Sequence, residues 1–505
     1  MGRATFAALA LCIVMPVGSI PGQEHPSAPQ PERLGTVHFG TSCNPSVQAQ
    51  FDRAVALLHS FEFGASIKGF NDVIAADSTC AMAYWGLALS RWGNPMAPGN
   101  RPPALLKQGG QWASTGARLA ERGTDRERDY LGAVSQLYDD FEDRDQHTRV
   151  DAYSQAMESL TMQQPADTEA KIFYAISLVA AASPTDKTYA NQLKAGALLE
   201  SLWAKQPNHP GLAHYIIHTY DYPPLADKAR AAAARYSAIA PSAAHALHMP
   251  SHTFTRVGMW KESIAANARS GDVAWSAGSI AEALHAADYQ MYAYLQLGDY
   301  AKAKAIVDKL PDYAARFDPN AITGAAPASA GFFALAAIPA RWALERGAWA
   351  EAAALQPKAS AYPYTEAMTH FARALGASHT GDLAKASASI DSLASIQHSL
   401  TAKNEPYWAE QVGIQHLAAL AWLELAQHRN DAALTDMRAA AAREDATDKS
   451  AVTPGPLAPA HELLGDMLTA LGRTKEARAE YELTLQKEPN RRRSLTQLGR
   501  RVATN

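Results

Sequence analysis

Six of the seventeen histidines in this 505-residue chain, His209, His214, His218, His245, His248 and His252, fall within 44 residues of one another. Their spacing is regular. His214 and His218 are four apart, His248 and His252 are four apart, and the second pair follows the first by 34 residues. Residues four apart share one helix face, so each pair presents two imidazoles side by side. Neutral imidazole is a ligand for zinc, copper, nickel or iron, and two rings one helical turn apart can chelate one ion. Asp221 continues the first stripe at i+7, where it either ligates the metal or orients a histidine from behind. Further along, His285, Asp288, Tyr289 and Tyr292 share one helical stretch, and Asp288 would bring a second carboxylate to the border of the site. A metalloenzyme needs an open coordination position and a nearby acid or base, for which Asp221, Asp288 and Tyr292 are the candidates. His245, three residues before His248, is expected nearer the neighbouring helix. His209, beside Pro210, is expected at a helix start in a capping role.

Two other readings fit the same residues: a hydrogen-bonding groove for a peptide or small anion, and histidines that only pack. Convergence decides between them. Four imidazoles meet only if the two helices that carry them are successive copies of one unit.

From Phe51 onward the chain alternates helical apolar patterns with short Gly, Pro or Asn breaks, which makes the expected fold all-α. The clearest unit runs from Ala458 to Arg491, with Leu464, Gly465, Leu468, Gly472, Ala477, Tyr481 and Pro489 at positions 7, 8, 11, 15, 20, 24 and 32. This pattern resembles a tetratricopeptide repeat (TPR), in which small residues at 8 and 20 let two helices approach and large ones at 11 and 24 fill the gap. Weaker copies place Gly298, Gly347 and Gly381 at hairpin turns, giving about eight to ten helical hairpins over most of Phe51 to Pro489. The resemblance implies a solenoid, a right-handed superhelix whose first helices line a concave groove that takes peptides, partner proteins or small molecules. Counted from Pro207 and Pro241, His214 and His248 stand at position 5 and His218 and His252 at position 9, which face the groove in TPRs. TPR domains that clamp a terminal carboxylate place lysine, asparagine and arginine at such positions. The histidines here depart from that pattern, although Arg256 at position 13 keeps one cation that can meet an anion.

The string HALHMPSHTF at 245–254 and CAMAYWG from Cys80 to Gly86 also resemble a group of exported bacterial TPR proteins. That likeness carries no reaction with it. Pro250 lies between His248 and His252, removes one backbone hydrogen bond, and is expected to kink the chelating helix.

Arg3, an apolar run from Ala4 to Val14 and Pro16 read as a secretory signal peptide, with cleavage after Ser19 or Gly22 and a periplasmic or secreted destination. Cys12 leaves with that leader, and Leu11 before it does not suit lipidation. The two remaining cysteines, Cys43 and Cys80, are then expected to pair in an oxidising compartment. The layout is a signal peptide at 1–22, a Pro-rich linker at 23–45, an N-terminal TPR solenoid with the histidine groove at 46–317, a linker at 318–331 and a C-terminal TPR solenoid at 332–505. After the leader no apolar run is long enough for a membrane span.

A net charge of -4 gives no basic field for phosphates, so nucleic acid is not an expected partner. Phosphate-loop, GxSxG and HExxH motifs are absent from the sequence; His461-Glu462 lacks the second histidine. The acidic run Asp139 to Asp145 lacks the Gly and terminal Glu of a calcium loop. These residues therefore point to an exported TPR solenoid with a transition-metal site (Cu, Zn or Fe), acting as a metal-dependent oxidoreductase, a hydrolase or a metal-dependent binding module. A metal-free periplasmic scaffold for peptides or proteins is the alternative.

Overall fold

A computed structural model describes residues 1–2, 31–97 and 99–503. Nearly all of the signal-peptide segment, Cys12 included, lies outside the described residues. The chain divides into residues 1–32 and one compact unit, residues 33–505. The compact unit is an all-α, TPR-type solenoid of helical hairpins, with no strand among the described residues. First helices such as Pro210–Thr219, Ile280–Leu297, Pro363–Thr380 and Ala460–Ala470 alternate with second helices such as Tyr300–Arg316, Leu383–Ala402 and Thr474–Lys487.

The repeat chemistry explains the hairpins. Gly298 and Gly381 close their helices with φ of 74° and 79°, the left-handed region that glycine enters without a Cβ clash. At Gly465 an added Cβ would come within 2.7 Å of the Tyr481 ring, and at Gly86 within 2.2 Å of Phe70. These are the small and large positions of the repeat pattern, one on each helix of a pair, and the missing side chain lets the pair approach. Pro250 acts as expected: the helix divides into Ala244–His248 and Pro250–Arg256 while Met249 between them keeps helical φ and ψ.

Parts of two segments expected as linkers, within 33–45 and 323–331, are instead packed. In 33–45 Phe39 is fully buried, its ring 5.0 Å from Trp85, 5.1 Å from Tyr130 and 5.7 Å from Phe51. Thr36 N donates to Asn208 O, Ser42 donates to Glu127, and Cys43 is disulfide-bonded to Cys80. One buried aromatic and a cross-link turn a proline-rich approach into a strap over the first hairpins. In 318–331, residues from Ala328 onward begin the helix Ala328–Glu345, residues 323–326 pack against the body, and residues 318–322 stay exposed. There Thr323 O accepts from Gly64 N at 2.9 Å, and Ala326 N donates to Glu282 Oε2 at 2.8 Å. Residues 33–505 thus form one body rather than two solenoids joined by a tether.

The groove expected to be open is filled by the chain itself. Residues 447–459, between the helices Asn430–Ala446 and Ala460–Ala470, reach the histidine helices through Lys449 and Asp221, 3.3 Å apart. Arg341 ties the same segment down by donating to Gly455 O and Pro456 O. No described helix is long and apolar enough to cross a membrane.

Candidate metal centre

The groove histidines converge, but as two threes rather than one four. His214, His218 and His245 form one triad, and His248, His252 and His285 form another; within each, one ring nitrogen per histidine lies within 4.8 Å of the others. Three successive first helices supply them: Pro210–Thr219, the kinked Ala244–Arg256 pair, and Ile280–Leu297. All six rings are buried.

Two rings of the first triad have a defined tautomer. His214 Nδ1 lies 2.6 Å from His59 O, which can only accept, so Nδ1 carries the proton and Nε2 a lone pair. His245 Nδ1 lies 3.0 Å from Glu282 Oε1 and donates to it in the same way. The Nε2 atoms of His214, His218 and His245 are all buried with no hydrogen-bond partner. Buried nitrogens are seldom left so, because each costs about 1–3 kcal/mol. Three histidines that each bring one ring nitrogen within 4.8 Å of the others suit one cation. Phe61 floors the triad, its ring 4.4 Å from His214, 5.6 Å from His218 and 5.7 Å from His245. The residue has a φ of 55°, a left-handed conformation uncommon for an aromatic residue, and the turn so formed carries the ring beneath the imidazoles.

In the second triad His248 Nε2 and His252 Nε2 lie 2.9 Å apart. Behind them His248 Nδ1 meets Asn267 Oδ1 at 2.6 Å, and His252 Nδ1 meets Asp221 Oδ2 at 2.8 Å. His285 packs its ring 4.4 Å from that of His248. Tyr289 lies 4.9 Å from His248, 5.1 Å from His252 and 5.2 Å from His285 by ring centres, and its hydroxyl donates to Thr453 O.

Burial, reinforced by neighbouring imidazoles, holds His214, His218 and His248 well below the ordinary 6.5. Burial also takes His285 down to about 3, against the pull of Glu282. These rings are kept neutral, the form that binds metal. Asp221 is buried too, yet Lys449, Arg256 and His252 overcome that burial and hold it well below the usual carboxylate range. Burial beside Arg256 pushes Lys449 down to about 8.

Asp221 takes the orienting place, with Oδ2 on His252 and Lys449 and Oδ1 on Arg256. Asp288 and Tyr292 stand apart from the cluster. Asp288 pairs with Arg341 at 2.8 Å, and Tyr292 donates to Glu488 at 3.0 Å, so both anchor the C-terminal half. His209 holds the N-cap position of its helix but its side chain makes no capping bond; its Nε2 lies 2.9 Å from Glu169, whose other oxygen lies 2.8 Å from His59 Nε2. That His–Glu–His group already uses the facing nitrogens on the carboxylate and supports the His59 carbonyl behind His214.

His245 and His285 are the triad members least visible in the sequence. His245, His248 and His252 follow i, i+3, i+7 spacing, which does mark one helix face and so contained the signal. His285 has no partner four residues away, and only the fold places it against His248.

Two cavities reach the cluster. One of about 30 Å³ is lined by His218, His245, His252 and His285 together with Ala325–Pro327 and Ala451. The other, of about 340 Å³, touches His218 and Asp221 from the side of Met96, Tyr222 and Lys449.

No family model matches the chain, and no curated protein matches it. Among solved structures it is similar to Cut9 in the APC/C hetero-tetramer Cut9–Hcn1, at 11% identity over 91% of this chain and 77% of that one, with a TM-score of 0.37. Yeast Tom70 gives 13% identity over 90% and 94% of the two chains and a TM-score of 0.39. An IFIT1 monomeric mutant with m7Gppp-AAAA gives 9% identity over 87% and 95%, with a TM-score of 0.36. At such TM-scores the fold rests on the hairpins themselves.

Proposed function

We propose that this chain is an exported metalloprotein that binds a transition-metal ion through His214, His218 and His245 and uses it to act on a small molecule. The observation that carries the reading is the trio of buried, partnerless Nε2 atoms, two of them with their Nδ1 protons committed elsewhere. Three imidazoles leave a tetrahedral ion one open position. The small cavity beside His218 and His245 supplies the space for it. Its lining holds no carboxylate, and Asp221 at the larger cavity is already engaged by His252, Arg256 and Lys449, which leaves hydrolysis without a free carboxylate base. That favours an oxidoreductase using copper or iron over a zinc-type hydrolase. The Cys43–Cys80 disulfide supports an oxidising, periplasmic or secreted setting.

Elemental analysis of the purified mature chain, before and after chelator, tests the reading. Copper or iron at stoichiometric level, removed by chelator and restored on re-addition, is the expected result. A chain that never retains metal would favour the metal-free scaffold.

A further inference from the structure

We infer that His248, His252 and His285 hold a second transition-metal ion, so that the centre is dinuclear and takes a small bridging ligand, one or two atoms across, between its ions. This rests on the metal reading of the first triad. The observation behind it is separate: two imidazole nitrogens that cannot face each other as they stand.

Both rings are fixed from behind. Asn267 Nδ2 donates to Ser263 O at 2.8 Å, so the amide oxygen faces His248 Nδ1, and Nδ1 must donate to it. His252 Nδ1 donates to the Asp221 carboxylate, itself held by Arg256 and Lys449. With both protons on Nδ1, His248 Nε2 and His252 Nε2 present lone pairs to each other across 2.9 Å. Two lone pairs at hydrogen-bond distance repel unless a cation sits at their crossing. A proton there would leave a buried imidazolium, which is costly to desolvate. A metal ion at about 2.0–2.1 Å from each nitrogen takes both lone pairs at little change in spacing. His285 completes the set, with a buried Nδ1 that has no partner.

The triads adjoin. His218 and His252 have ring centres 5.8 Å apart, as do His245 and His248. The small cavity takes two walls from each triad: His218 and His245 from the first, His252 and His285 from the second. A ligand in it touches both ions, as in two-metal sites whose ions stand about 3.5–4 Å apart. With about 30 Å³ free it has room for a ligand of one or two heavy atoms such as hydroxide or dioxygen. Organic molecules reach only the larger cavity beside His218.

The test is copper loading of the full mature chain, read by copper per chain and by the copper(II) paramagnetic resonance signal. Wild type is expected to bind two ions, and the His248→Gln/His285→Gln and His214→Gln/His245→Gln variants one each. Signal per copper should be strong in each variant and several-fold weaker in wild type, and azide should perturb wild type as a bridging ligand. One ion in wild type, lost through His214→Gln/His245→Gln but kept through His248→Gln/His285→Gln, overturns the second site and leaves the first reading standing. One ion lost through either variant overturns it in favour of a single shared site. Two ions with full, uncoupled signal overturn the bridge. No ion in wild type overturns the metal reading itself. Since wild-type stoichiometry and coupling need no substitution, a variant that fails to fold leaves the test decisive.

Discussion

His245 Nδ1 lies 3.0 Å from Glu282 Oε1, and the other oxygen of the same carboxylate accepts from Ala326 N at 2.8 Å. One buried group thus fixes the proton of a first-triad imidazole and holds a segment that borders the small cavity. Burial alone would raise the Glu282 pKa, but His245 and His285 hold it below the ordinary value, which keeps it a carboxylate. Glu282→Gln keeps the shape and removes the charge. Metal affinity should fall about 10–100-fold, as expected when the hydrogen-bond partner of a ligating histidine is lost. Competition with a chelator measures it, and unchanged affinity would show that Glu282 does no more than brace the loop.

Substituting the first triad should be selective. His214→Ala, His218→Ala or His245→Ala each lowers metal occupancy, whereas His398→Ala and His428→Ala, on other helices and turns, leave it within error. Elemental analysis of matched preparations, with circular dichroism to certify the fold, makes the comparison. Equal loss at the control positions would point to general destabilisation.

The disulfide is separable from the metal. Cys43 and Cys80 are 37 residues apart, so opening the bridge should cost about 3–4 kcal/mol on the loop-entropy account. Denaturant unfolding with and without reductant reads this directly. Alkylation should find both thiols only after reduction, and free thiols in the native exported chain would contradict the pairing.

Glu444 gives a pH dependence with a defined sign. Burial pushes its carboxyl from 4.5 up to about 7, while the bond from Ala460 N and the charge of Lys487 pull the other way. Between those values the folded state binds more protons than the unfolded one, so stability falls as pH rises through the window. Glu444→Gln removes that penalty. Its melting temperature should match wild type near pH 4.5 and exceed it above pH 7, by an amount on the order of 1 kcal/mol for a half-buried group. A gap that is flat or reversed with pH would show that the carboxylate is already paid for by its neighbours.

Much of the fold is legible because repeat chemistry is local. Gly298 and Gly381 announce turns, Gly465 and Tyr481 announce a helix pair, and Pro250 announces a kink. The gathering of His214, His218, His248 and His252 follows from the 34-residue register. Their division into two triads does not, because it depends on the angles between three helices and on His285 arriving from the third. The acceptors that set the tautomers, His59 O, Asn267 and Glu282, come from elsewhere in the chain and have no motif. Asp288 and Tyr292 share a helix with His285, but helix membership cannot say that Arg341 and Glu488 draw them toward the C-terminal half. Phe39 was hidden for a different reason: one aromatic in a polar, proline-rich approach is too weak a pattern to mark a packed strap.

The central claim is that His214, His218 and His245 coordinate a metal through Nε2. X-ray absorption at the metal edge of the loaded mature chain tests it most directly, in wild type and in a variant lacking all three histidines. Wild type should show nitrogen scatterers at about 2.0–2.1 Å with the multiple-scattering pattern of imidazole, and the variant should bind one ion fewer per chain. A first shell dominated by oxygen or sulfur, or metal per chain unchanged in the variant, would contradict the account.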